Sequence, residues 1–127
     1  MRAIVTVLLL LAAAVNLLPV LGAFSTARLE ALYGVVVQDP NLAILMRHRA
    51  VLFAIVSGLL VLAAFHAPAR ALAIPAGLVS MLAFVALAGS VGEYNPLLRR
   101  VVIVDVVASL ALVAAAVLDL WTVTGGR

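Results

Sequence analysis

The sequence predicts an all-α fold: a four-transmembrane-helix bundle with a short interfacial helix between spans one and two. Three observations carry that prediction. Of 127 residues, 68% are hydrophobic and only 10% charged, with a mean hydropathy of +1.36, far outside the balance of a soluble domain. The apolar positions gather into four runs, each near the roughly 20 residues needed to cross the hydrocarbon of a bilayer. Two of those runs open on a helix-start pair, Asp39-Pro40 and Asn95-Pro96. In such a pair the first side chain caps free backbone N–H groups, and the proline loses nothing by lacking its own. Four spans use most of the length, so residues 1–127 form a single integral membrane domain, with spans at about residues 3–23, 40–65, 69–91 and 96–121.

The first span, AIVTVLLLLAAAVNLLPVLGA, is interrupted only by Thr6, Asn16 and Pro19. Its apolar core is longer than the central part of a signal peptide, and Leu21-Gly22-Ala23 is a poor cleavage site, so it is predicted to stay as a helix. Pro19 frees the carbonyl of Val15, and Asn16 beside it can donate locally, which gives this asparagine a structural role. Ser25 to Val37 is too short to span. Leu29, Leu32, Tyr33 and Val36 share one helical face while Arg28 and Glu30 lie off it, the pattern of a helix resting in the headgroup region. The second span runs from Pro40 to Phe65, and Pro68 can open the third. Along that third span Gly77, Ser80, Ala83 or Phe84, and Gly89 offer small positions for close helix approach. The fourth ends near Asp119 and Trp121, an indole suited to the membrane boundary.

Charge is unevenly placed. With four spans, Arg28, Glu30, Tyr33, Asp39, Arg47, His48, Arg49, Glu93, Tyr94, Asn95, Arg99, Arg100 and Asp105 gather at one end, leaving Arg2, His66, Arg70, Asp119 and Arg127 at the other. Arg49 and Asp105 each stand ten residues beyond their cap, about 15 Å along the helix, below the interface. A charge at that depth faces the bundle interior or a wet cavity and usually has a partner. An ion pair of Asp105 with Arg49 or Arg47 is therefore expected. Equal depth favours Arg49; the seam of small residues that Arg47 shares with Ala43, Ala50, Ala54 and Gly58 favours Arg47. The remaining arginine can snorkel to the headgroups.

Several chemistries are excluded or unsupported. There is no cysteine, hence no disulfide, thiolate metal site or cysteine nucleophile. The eight arginines sit at the ends of apolar runs and form no basic stripe, so no nucleic-acid partner is read. His48 and His66 fall at opposite ends of one helix, so no metal set is read. Nucleotide, acyl-transfer and zinc-hydrolase motifs are also missing, and no cofactor is read.

NLLPVLG, LEALYGV, DPNLAILMRHRAVLF and NPLLRRVVIVDVVA, which together cover nearly the whole chain, resemble the small four-helix membrane proteins of the DoxX-like and related uncharacterised bacterial families. That resemblance implies a four-helix bundle in a bacterial cytoplasmic membrane, with no established activity; DoxX proteins proper are associated with quinone-linked oxidase or thiol-redox assemblies. Look-alikes sometimes carry the label phosphopantetheine adenylyltransferase, an activity whose soluble α/β fold needs an HxGH phosphate motif that this chain lacks.

Three functional readings follow. The first is a binding or accessory protein whose polar end holds a quinone or a lipid headgroup, or docks on a membrane partner, through Arg47, His48, Arg49, Arg99 and Asp105 with Tyr33 and Tyr94 as amphipathic walls. The second is a small membrane enzyme using His48 with Asp105 or Glu93 as acid and base. The third is a transporter, which at this size needs a homo-oligomer. Five arginines at the polar end against three at the other favour a cytoplasmic polar end. The Met-Arg-apolar start instead favours cytoplasmic termini, and that is the orientation adopted.

Overall fold

The computed structural model describes residues 1–125 and contains five α-helices: α1 (Arg2–Leu17), α2 (Thr26–Tyr33), α3 (Pro40–Phe65), α4 (Arg70–Val91) and α5 (Pro96–Thr124). Four segments are long and apolar enough to cross a membrane: α1 with its 3-10 continuation Leu18–Ala23, α3, α4 with the preceding turn, and α5. The fold is an all-α four-helix bundle, as the spacing of apolar runs predicts. Contacts run α1 to α3, α3 to α4, α4 to α5 and α5 back to α1. The four long helices thus form a ring in which α1 faces α4 and α3 faces α5 across the centre.

Both predicted start signals cap their helices. The Asp39 carboxylate accepts from the Asn41 N–H at 2.8 Å, and the Asn95 side-chain oxygen accepts from the Leu98 N–H at 2.9 Å. The interior is built from small and medium side chains: Val5, Leu9, Ala12 and Ala13 of α1, Leu60, Ala63 and Ala64 of α3, Ala73, Ile74 and Met81 of α4, and Ala108, Leu112 and Ala115 of α5. Alanine at these points lets the backbones approach, as membrane helices do in the absence of a hydrophobic force between them. Gly77 serves the same end between helices, since a Cβ there would stand 2.8 Å from Leu112 Cδ1. Most large apolar side chains point outward, among them Leu11, Leu45, Val79, Leu110 and Leu120. An apolar surface of this extent suits lipid and not water.

Inside the bundle, polar side chains bond to backbone. Asn16, only 2% exposed, donates through Nδ2 to the Ala12 carbonyl at 2.9 Å; its Oδ1 has no partner among the described residues. Ser57 donates to Ala13 O at 2.9 Å and Ser109 to Asp105 O at 2.7 Å.

The segment after α1 departs from the expected amphipathic helix over Ser25 to Val37. Gly34 takes a left-handed conformation (φ 66°) and ends α2 at Tyr33, and the Glu30 carboxylate then accepts from the Val37 N–H at 3.1 Å. Leu29, Tyr33 and Val37 are buried together, with Leu42, Ala43 and Met46 of α3 and Leu98 and Val101 of α5 packed against them, while Val36 is 64% exposed. The reversal at Gly34 brings Val37 inward in place of Val36. Helix α2 therefore closes the end of the bundle between α3 and α5.

Candidate functional site

The arginine-rich end is assembled from the N-termini of α3 and α5, the α4–α5 turn and α2. Asn95 ties these pieces together: while its oxygen caps α5, its Nδ2 donates to Tyr33 O at 2.7 Å, at the point where Gly34 ends α2. Arg47 and Arg49 leave α3 on different sides. Arg47 Nε donates to Ala23 O at 2.8 Å, satisfying a carbonyl at the end of the first span. Arg49 turns instead toward α4. Its guanidinium carbon lies 5.4 Å from the ring centre of Tyr33, 5.0 Å from that of Phe53 and 4.8 Å from that of Phe84, three contacts of the cation–π class.

The expected ion pair of Asp105 with Arg49 or Arg47 is not formed. Asp105 is buried on α5, yet the one ion pair among the described residues joins Arg70 to Asp119. Ring order explains the miss: α3 and α5 face each other diagonally, so equal depth does not bring Arg49 and Asp105 within ion-pair distance, and Arg47 donates to the Ala23 carbonyl. Both Arg49 and Asp105 still act on Tyr33. Burial raises the Tyr33 phenol above its ordinary value of 10.0, the Arg49 cation opposes that rise, and the Asp105 carboxylate adds to it.

Beside Arg49 a groove of about 740 Å³ opens between α3 and α4. Leu52, Phe53 and Val56 of α3, Ala83, Phe84, Leu87, Ala88 and Val91 of α4 and Leu98 of α5 supply its apolar wall; Arg49, Ser80, Glu93, Tyr94 and Asn95 supply the polar positions. The same two helices are closed at the far end, where Gly77 admits Leu60 and Leu112. The groove lies where no such small-residue contact draws them together; a Cβ added at Gly89, in this half of α4, would meet nothing within 4 Å.

Comparison with family models, with curated proteins and with solved structures finds no match to this chain.

Of the residues predicted to form a site, Arg49 and Tyr94 line the groove, and Tyr33 and Asp105 are buried on the helices behind it. Arg47, His48 and Arg99 are exposed and do not line it, so His48 is not brought to Asp105 or Glu93 as an acid–base pair would require. Sequence reasoning missed the ring contacts of Phe53 and Phe84. Phe53 carried a signal, standing one helical turn beyond Arg49 on the same face; Phe84 carried only its place among the small residues of α4. The Arg70–Asp119 pair was missed as well, although the two residues bear opposite charges at the same end of the bundle.

Proposed function

We propose that this is a multi-pass membrane protein with a binding or accessory role, holding an amphipathic molecule, a quinone or a lipid, in the groove between α3 and α4. One observation carries the reading. Arg49 is a half-buried cation among three aromatic rings, closes no ion pair among the described residues, and borders an apolar-walled groove. Rings satisfy the face of a guanidinium and leave its N–H groups in want of oxygen acceptors. At this depth an acceptor comes from water or from the head of a bound molecule, and the apolar wall favours one with a hydrocarbon or ring body. The resemblance to DoxX-like proteins supports a bacterial cytoplasmic membrane, and the Met-Arg-apolar start supports termini on the cytoplasmic side; a larger membrane complex or a second copy is the partner proposed.

Native mass spectrometry of gently extracted protein tests this. A small molecule should stay with the wild type and with Arg47→Ala and be lost from Arg49→Ala while the bundle remains helical. A bare wild-type protein, or retention by the Arg49 variant, refutes the reading.

A further inference from the structure

We infer that the occupant of the groove is a zwitterionic phospholipid with a primary ammonium, its phosphate held by Arg49 and its ammonium by Glu93. The inference rests on the reading that the α3–α4 groove binds an amphiphile, and adds which kind. The groove wall carries two charges of opposite sign, Arg49 from α3 and Glu93 from the α4–α5 turn, and they form no ion pair with each other. Two unjoined opposite charges on one wall complement a ligand that bears both.

Their order matters. Arg49 is half-buried, ten residues inside the α3 cap, whereas Glu93 is exposed, just beyond the end of α4. Arg49 thus stands deeper than Glu93, with Leu52, Phe53 and Val56 beyond it and Leu87, Ala88 and Val91 lining the way out to the carboxylate. A phospholipid with an amino headgroup places its charges in the same order, phosphate inside and ammonium outside.

An anionic lipid fits less well, because Arg49 can hold its phosphate but its outer group offers no cation to Glu93. The choice of a primary ammonium follows from the rings. Tyr33, Phe53 and Phe84, the group that could enclose a quaternary ammonium, are already engaged by Arg49. Glu93 offers an open carboxylate, which bonds best to a cation bearing N–H donors. Leu52 and Ala83, on the groove wall at or beyond the depth of Arg49, are exposed on the apolar surface, which leaves a route for acyl chains to continue into the bilayer.

The test uses the full chain in detergent, loaded with phosphatidylethanolamine or phosphatidylglycerol of identical acyl chains and read by native mass spectrometry. Wild type should retain the ethanolamine lipid about tenfold better than the glycerol lipid, a margin expected of one charge contact. Glu93→Gln should bring the ratio near unity, Glu93→Lys should reverse it, and Arg49→Gln should lose both lipids. Glu93 is exposed in a turn, so these variants test the site without disturbing the core. Equal or better retention of phosphatidylglycerol by wild type, or a ratio indifferent to Glu93, overturns the inference; if lipid is still lost with Arg49→Gln, the amphiphile reading survives it. Lipid retention indifferent to Arg49 overturns both.

Discussion

The two ends of the bundle handle charge in opposite ways. At the end where α3 turns into α4, Arg70 is buried, pairs with Asp119 and donates through Nε to Ala63 O at 3.0 Å; Thr6 donates to Ala64 O at 3.1 Å. Every one of these groups is engaged within the protein, and the helices are drawn together at Gly77. At the other end five arginines close no ion pair among the described residues, and α3 and α4 leave a groove. The contrast teaches where structure ends and recognition begins: the sealed end joins its two inward charges to each other, and the open end leaves donors for something else.

The largest effect that could break this comparison is expected at the sealed end. Asp119→Ala strands the buried Arg70 guanidinium and should lower stability by about 3 kcal/mol, the range for removing one partner of a buried pair. Thermal unfolding in detergent checks this, and Arg70→Ala with Asp119→Ala should recover part of the loss. No loss on Asp119→Ala would mean the sealed end is not held by its ion pair.

A second contrast uses two glycines of one helix. Gly77→Ala pushes a methyl against Leu112 and should cost about 1–3 kcal/mol, whereas Gly89→Ala meets open space and gains helix propensity. Equal melting temperatures for the two would show that closure does not depend on Gly77.

Next in size is Asn95→Ala, which removes both the α5 cap and the bond to Tyr33 O, an expected loss of about 1–2 kcal/mol. Hydrogen exchange should quicken at the end of α2 and the start of α5 together; quickening in α5 alone would detach α2 from the open end.

The smallest effect is a pH dependence. Because burial raises the Tyr33 phenol in the folded protein, the native state holds that proton more tightly than the unfolded chain does. The linked stability is intact below the ordinary value of 10.0 and falls as pH rises beyond it. Tyr33→Phe should flatten this alkaline loss and remove a phenolate absorbance component whose midpoint lies above 10.0. A component lost at or below that value would contradict the burial.

The spans were legible because length, hydropathy and the Asp39-Pro40 and Asn95-Pro96 signals are local. Depth along the helix was legible for the same reason, and Arg49 and Asp105 do stand at matching register. Azimuth was not: which helices are neighbours depends on ring order, which a hydropathy pattern does not contain, so matched depth was mistaken for contact. The end of α2 turned on one residue, Gly34, whose positive φ reversed the chain before the apolar run finished. The groove left least trace of all, since a side chain facing an apolar groove and one facing lipid meet the same selection for hydrocarbon.

The carbonyls of Ala63 and Ala64 carry a consequence for biosynthesis. They belong to the last turn of α3, where a helix has no backbone donors left to offer, and in hydrocarbon such groups are costly to leave bare. Thr6 is translated long before Ala64 and Arg70 soon after Ala63, so both donors are available as soon as the α3–α4 hairpin forms beside α1. Asp119 arrives only with the last helix. The bonds that satisfy these two carbonyls therefore involve only residues made before α5, whereas the Arg70 guanidinium gains its counter-ion only when α5 joins the ring.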